Sequence, residues 1–144
     1  MTSGGEIDLT QRTRFPLWAR DVLRYGDTDR QGHVNNAAFA TFCETGRVSF
    51  LIPLLPDGCS FVIARLILDY RAEILWPGEV DIGTMVLAVG RSSFTLGQGL
   101  FVADRCVASA ESVLVLTDNT TRRSTPLPDH LRARLAEFSG AEPV

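Results

Sequence analysis

The chain contains no lysine, and all fourteen of its basic residues are arginines. Without a lysine amine, Schiff-base catalysis and the lysine of a phosphate-binding P-loop are both excluded. The formal net charge is −3, and the basic residues form no cluster beyond Arg122 and Arg123. Because nucleic-acid binding depends on many phosphate contacts, this composition predicts no nucleic-acid partner.

Cysteine and histidine are scarce, with three and two residues. Cys43, Cys59 and Cys106 are odd in number, widely spaced and set among apolar residues, which favours reduced, packed thiols over disulfides. Neither these cysteines nor the distant His33 and His130 have metal-ligand spacing, so no metal or other cofactor is expected. A serine nucleophile elbow, GxSxG, is also missing, so His33 is not expected to serve a Ser-His-Asp triad.

Long apolar runs are absent as well, so no membrane span is expected. The first fourteen residues are polar and lack the apolar core of a secretory signal, which predicts a cytoplasmic protein. With 144 residues, 45% of them hydrophobic, the chain fits one domain over 1–144. Loose tails are expected at 1–14 and 140–144.

One polar stretch, from Tyr25 to Asn36, stands directly before an apolar helical segment. It contains two carboxylates, Asp27 and Asp29, and a glycine, Gly32. A helix N-terminus has unpaired backbone N–H groups and a partial positive charge, so it can hold a carboxylate or a developing oxyanion. The chemistry is therefore expected here.

This stretch reads YGDTDRQGHVNN. It resembles the DxDxxGxVxN signature of hotdog-fold acyl-CoA thioesterases, in particular the members of the hydroxybenzoyl-CoA thioesterase-like family that read GHVNN. The resemblance implies hydrolysis of an acyl-CoA to a free acid and CoA, with Asp29 as nucleophile or general base. Coenzyme A is then part of the substrate, and which role Asp29 takes stays open.

The predicted substrate-binding residues are Tyr25, Gly32, His33, Val34, Asn35, Asn36, Ser60 and Phe61. Gly32 is expected to adopt a conformation closed to other residues, so that backbone amides face the substrate. Asn35 or Asn36 can cap the helix or orient the thioester. Ser60 and Phe61 enter the second strand, where the resemblance brings the opposite end of the site. Both aspartates also suit a plain turn or cap, and Asp27 is expected to shape the loop.

A rival carboxylate, Glu44, lies within the predicted helix, and some hotdog thioesterases of another lineage use a helix glutamate. The simpler alternative, which we prefer, is a surface pair between Glu44 and Arg47 at i,i+3. Arg65 and Arg71 are expected either to pair across strands with acidic side chains or to bind coenzyme A phosphates.

Hydrophobic periodicity predicts an α+β arrangement: one long helix on a mostly antiparallel sheet of about five strands, then a short C-terminal helix. The resemblance implies the same order, as a hotdog fold. The expected strands are 15–25, 61–71, 79–89, 92–102 and 105–117, with helices from Asn35 or Asn36 to Pro53 and over 129–138.

A single helix cannot cover such a sheet and its edges, which predicts a homodimer or homotetramer. Each site would then combine the Asp29 loop with residues of the partner chain. Two alternatives remain open at this stage. One is hydrolysis of thioesters on an acyl carrier protein, which the acidic balance disfavours; the other is a non-catalytic acyl-CoA-binding domain.

Overall fold

A computed structural model describes residues 7–29 and 32–140. A five-stranded antiparallel sheet has the order β1-β3-β4-β5-β2. The strands are β1 Leu17–Val22, β2 Cys59–Tyr70, β3 Glu79–Val89, β4 Ser93–Val102 and β5 Arg105–Asp118; the helices are α1 Asn36–Leu51 and α2 Asp129–Ala136. The predicted element order and α+β class are confirmed. Most of the predicted C-terminal tail, 141–144, lies outside the described residues.

Helix α1 begins and ends where its sequence predicts. The Asn35 side chain accepts a hydrogen bond from the Ala37 N–H at 2.9 Å and so caps the first turn. Pro53 falls in the short 3-10 turn Ile52–Leu54 that follows the helix. The apolar face of α1 packs on the sheet through Ala38, Phe39, Phe42, Cys43, Gly46 and Phe50.

The middle of α1 lies unusually close to β3 and β4. A Cβ on Gly46 would stand 2.5 Å from Ile82 Cγ2 and 2.7 Å from Gln98 Nε2. Gln98 Nε2 also donates a hydrogen bond to the Cys43 carbonyl at 3.0 Å. The contact and the hydrogen bond together fix the position of the helix, and hence of its N-terminus, over the sheet.

The first strand is shorter than predicted. β1 covers Leu17–Val22, whereas the apolar pattern predicted a strand from Phe15 to Tyr25. Phe15 instead covers Gly83, where a Cβ would meet its ring carbon at 2.6 Å, and Tyr25 opens a 3-10 turn. Both residues are apolar because they pack, not because they belong to the strand.

The prediction of a loose tail over 1–14 is wrong for the part that the structure describes, which begins at residue 7. Leu9 is only 7% exposed, and Arg12 forms an ion pair with Asp81 at 3.2 Å. The physical reason is a groove over Gly97 and Gly99 in β4, which Leu9 fills at distances that a Cβ on either glycine would block. The same packing accounts for the glycines of β4.

The two edges of the sheet differ. β1 is six residues long, whereas β2 is twelve residues long and pairs only with β5 among the described strands. Exposed large apolar side chains of β2 are Val62, Ile63, Leu66, Ile67 and Tyr70. A long edge of this kind presents unpaired backbone groups and apolar surface together. In the described chain, neither helix is long and apolar enough to cross a membrane.

Candidate active site

The loop before α1 is a tight hairpin pinned to the segment after β2. The Asp29 N–H donates to the His33 carbonyl at 2.8 Å, and Thr28 forms an isolated antiparallel β-bridge with Val34. The Val34 N–H donates to the Ile74 carbonyl at 2.8 Å. Gly32 has φ +81, and a Cβ added to it would meet nothing within 4 Å. The backbone conformation alone therefore requires glycine there, as predicted.

Asp29 lies at an open cavity of about 540 Å³ beside the N-terminus of α1. The His33 N–H donates to its Oδ1 at 3.1 Å, which holds the exposed carboxylate in place. Five of the predicted site residues line this cavity: Asp29, His33, Val34, Asn35 and Asn36. The structure therefore brings most of the sequence signature to one surface.

Asp27 has a different role from Asp29. Its carboxylate pairs with Arg24 at 3.2 Å, and this hydrogen bond raises the pKa of the Arg24 guanidinium. Its backbone carbonyl accepts the Asn35 N–H at 2.7 Å. Asp27 thus ties the loop to the helix cap, in keeping with the prediction that it shapes the loop.

The first turn of α1 contains a backbone donor that lies beside the cavity. Asn35 satisfies two of the initial amides, that of Ala37 with its side chain and that of Ala38 with its carbonyl at 2.9 Å. The Asn36 N–H has no hydrogen-bond acceptor among the described residues. Since Asn36 lines the cavity with Asp29, its amide can meet a substrate oxygen at the positive end of a sixteen-residue helix.

Sequence reasoning missed Tyr70, Ala72 and Glu73, which also line this cavity. The Tyr70 hydroxyl donates to the Asn36 carbonyl at 3.1 Å, and its ring meets Phe39 edge-on at 5.1 Å. Glu73 Oε2 lies 3.2 Å from His33 Nδ1. Tyr70 and Glu73 lie more than thirty residues along the chain from Asn36, so only the fold places them beside the signature.

Tyr25 stands apart from the cavity. It is 74% exposed and packs edge-on against Trp76, with ring centroids 5.3 Å apart. Its predicted role in substrate binding stays a prediction, because it does not line the Asp29 cavity of its own chain.

Ser60 and Phe61 line a second cavity, of about 290 Å³, between the C-terminal half of α1 and the start of β2. Ser60 Oγ donates to Asn119 Oδ1 at 2.6 Å, and Phe61 packs edge-on against Phe94. Ten strand residues at roughly 3.3 Å each separate Ser60 from Tyr70, about 33 Å along β2. Within a single chain, Ser60 and Phe61 therefore do not reach the Asp29 cavity, and their role at the opposite end of a site shared between chains stays a prediction.

Glu44 and Arg47 line this second cavity as well, and the predicted surface pair between them is wrong. Arg47 is 8% exposed, and the described residues give the two side chains no ion pair within 4.0 Å. Arg47 follows Gly46 on the face that α1 presses against the sheet. Burial lowers the pKa of Arg47, and the nearby Cys43 and Glu44 partly oppose that shift.

No disulfide joins the three cysteines, and Cys43 is buried in the core. Burial raises the pKa of the Cys43 thiol to about 11. Within 7–29 and 32–140, no three His, Cys, Asp or Glu side chains are grouped so that they could hold a metal ion. The expectation of no cofactor stays a prediction.

A family model described as the thioesterase-like superfamily matches residues 23–135, a range that includes the Asp29 loop and both cavities. This chain belongs to that superfamily. The match confirms the predicted family, and with it a thioester hydrolase as the class of enzyme.

Known relatives agree with this assignment. The 1,4-dihydroxy-2-naphthoyl-CoA hydrolase of Synechococcus elongatus is 27% identical over 120 residues, which cover 77% of this chain and 88% of the relative. A thioesterase from Thermus thermophilus, solved with coenzyme A and zinc, is 33% identical with a TM-score of 0.76, covering 84% of this chain and 98% of that one. A predicted thioesterase from Bacillus stearothermophilus is 28% identical with a TM-score of 0.79, covering 85% and 96%. These likenesses confirm the predicted hotdog fold.

Proposed function

We propose that the protein hydrolyses acyl-CoA thioesters, with Asp29 as nucleophile or general base. The observation that carries the proposal is the pairing of the Asp29 carboxylate and the Asn36 amide at one open cavity. A carboxylate and an oxyanion donor are the two groups that cofactor-free acyl transfer to water requires.

In the proposed reaction, the thioester carbonyl oxygen accepts a hydrogen bond from the Asn36 N–H. Asp29 then either takes a proton from an attacking water or attacks the carbonyl carbon itself, giving a mixed anhydride that water hydrolyses. Both routes break the C–S bond, consume one water and release the free acid and the coenzyme A thiol. The His33 N–H, 3.1 Å from Oδ1, orients the carboxylate in either case.

The relatives support coenzyme A as the carrier of the acyl group. One is named as the hydrolase of a coenzyme A thioester, and another was solved with coenzyme A bound. An acyl-carrier-protein thioesterase is the second candidate, because it shares the thioester and the pantetheine arm. The net charge of −3 disfavours it, since carrier proteins are themselves acidic. A cytoplasmic location stays a prediction.

We further propose that the functional unit contains a dimer formed through β2. Two β2 edges paired antiparallel about an axis near the middle of the strand would satisfy the unpaired backbone groups and cover the exposed apolar side chains. This pairing would bring Tyr70 of one chain near the partner's Ser60. The Asp29 cavity of each chain would then meet the second cavity of the other, while a tetramer would need a further surface.

Thiol release from short, long and aromatic acyl-CoAs tests the proposal. Asp29→Asn keeps the shape and removes the charge, so kcat/KM is expected to fall about 100-fold or more. Asp27→Asn is the matched control, because it loses the exposed pair with Arg24 and is expected to keep most of the activity. Equal losses in the two variants would contradict a chemical role for Asp29.

Glu44→Gln tests whether the rival carboxylate takes part in catalysis. Glu44 lines the second cavity and not the Asp29 cavity, so the Glu44→Gln protein is expected to keep its turnover of a simple acyl-CoA. A native protein that binds acyl-CoA but turns over none of the panel would favour the non-catalytic alternative. Turnover restricted to acyl carrier protein thioesters would favour the carrier-protein alternative.

A further inference from the structure

One nitrogen of the Arg47 guanidinium is buried without a hydrogen-bond partner among the described residues. The residue is 8% exposed, and its Nη1 has no hydrogen bond to any described residue. An arginine stays charged in a protein, and a buried charge costs free energy unless it is paired. Such an arrangement is expected where a ligand supplies the missing partner.

The surroundings of Arg47 point to a ligand. Its side chain contributes to the second cavity, whose walls are otherwise mostly apolar, including Val48, Leu51 and Leu114. A mostly apolar pocket with a small number of placed polar groups is the usual form of a small-molecule site, in which those groups set specificity. Its volume of about 290 Å³ suits a compact acyl group.

We infer that Arg47 donates a hydrogen bond to an oxygen at the far end of the acyl group and selects substrates that carry such an oxygen. This inference rests on the proposed function, because the acyl group would enter from the Asp29 cavity of the partner chain. Arg47 is then a specificity residue, and it takes no part in breaking the thioester bond.

Two kinds of oxygen can accept a hydrogen bond from the Arg47 guanidinium. A carboxylate adds charge and accepts two parallel N–H bonds from an arginine. A hydroxyl accepts from Arg47 and can donate its own proton to Glu44, whose exposed carboxylate lines the same cavity. Since Glu44 would repel a second carboxylate, comparison of the two end groups distinguishes these cases.

The test compares three thioesters of one chain length: hexanoyl-CoA, 6-hydroxyhexanoyl-CoA and 5-carboxypentanoyl-CoA. The ratio of kcat/KM between a polar substrate and hexanoyl-CoA is measured for the native chain and for Arg47→Met. The folded fraction cancels in this ratio, so a merely structural role would not change it. Arg91→Met, an exposed arginine between β3 and β4, is the matched control.

The native protein is expected to prefer at least one polar substrate. Arg47→Met is expected to reduce that preference by about 10-fold or more, because a site built to bond an oxygen discriminates strongly against its absence. Arg91→Met should keep the native ratio. A native protein that prefers hexanoyl-CoA, or an Arg47→Met variant with the native ratio, would overturn the inference and leave the proposed function standing.

Binding supplies a readout that is independent of turnover and of how Arg47→Met folds. Calorimetry of the Asp29→Asn protein with the three thioesters is expected to give tighter binding of a polar one. If the native chain hydrolyses none of them while this preference holds, the proposed function fails and the role of Arg47 stands. Equal dissociation constants for the three would overturn that role.

Discussion

The two ends of β2 show opposite chemistry. At its C-terminal end, Tyr70 borders an open, polar cavity that holds the Asp29 carboxylate. At its N-terminal end, Ser60 and Phe61 border a smaller, mostly apolar cavity that contains the buried Arg47. One end has the groups for hydrolysis and the other has the shape for an acyl group.

The difference suggests that a single chain carries two half-sites. About 33 Å of strand separates them at roughly 3.3 Å per residue, too far for one thioester carbonyl and its acyl group to use both within a chain. An antiparallel partner strand reverses this order and sets unlike ends side by side. On this account, pairing of two chains through the exposed apolar edge of β2 places the Asp29 cavity of one chain beside the acyl cavity of the other.

The largest expected effect comes from separating the half-sites. Ile67 is 39% exposed near the middle of β2, so Ile67→Asp would bury an unpaired charge among the apolar side chains of the proposed interface. We expect a monomer by light scattering and loss of most thioesterase activity. Val22→Asp, at a 59% exposed residue of the opposite edge strand, should leave both unchanged; a monomer with full activity would contradict the account.

A second effect is confined to the apolar half-site. Val48 lines that cavity from a half-exposed position on α1, so Val48→Trp should fill space without disturbing the core. We expect kcat/KM to fall about 10-fold or more for large acyl groups and much less for acetyl-CoA. The control is Val22→Trp; equal losses for all acyl lengths would show that the cavity does not hold the acyl chain.

A third change affects the helix that connects the half-sites. Gly46→Ala would place a methyl 2.5 Å from Ile82 Cγ2, so we expect the free energy of unfolding to fall by about 1–3 kcal/mol. Ala40→Gly, on the same helix at a partly exposed position, controls for backbone propensity. Urea denaturation measures both; an unaltered Gly46→Ala stability would mean that α1 has room to move over the sheet.

The smallest expected effect is a pH dependence in the core between the half-sites. Burial raises the pKa of Cys43 from 9.0 to about 11. The unfolded thiol ionises first, so the stability that Cys43 contributes is fully present below pH 9 and is lost as pH rises through 11. Cys43→Ala should flatten the fall of Tm across this range. The chain has no lysine that would titrate in this pH range. An identical fall of Tm with pH in the native and Cys43→Ala proteins would contradict the raised pKa of Cys43.

Sequence periodicity predicted the element order because helices and strands leave local signals. β3 matches its predicted range Glu79–Val89 without change, and Asn35 and Pro53 marked the limits of α1. The start of β1 was misread because Phe15 is apolar for a contact made with Gly83, which lies far along the chain. The N-terminal segment was misread for the same reason, since Leu9 packs over glycines of β4.

The site was predictable only in part. The Asp29 loop is a continuous stretch of sequence, so its residues could be found together. Tyr70 and Glu73 reach the same cavity through the fold, and no local pattern marks them. Arg47 was expected at the surface because charged residues usually are; its burial depends on how deeply α1 sits on the sheet at Gly46.

The most direct test of the two half-sites is complementation between chains. Asp29→Asn and Val48→Trp are each purified, mixed under conditions that exchange subunits, and assayed with a large acyl-CoA. In a mixed dimer one site would join an intact Asp29 loop to the partner's intact cavity, so activity should recover to about a quarter of the native value for random pairing. A mixture no more active than the sum of its components would contradict a site shared between chains.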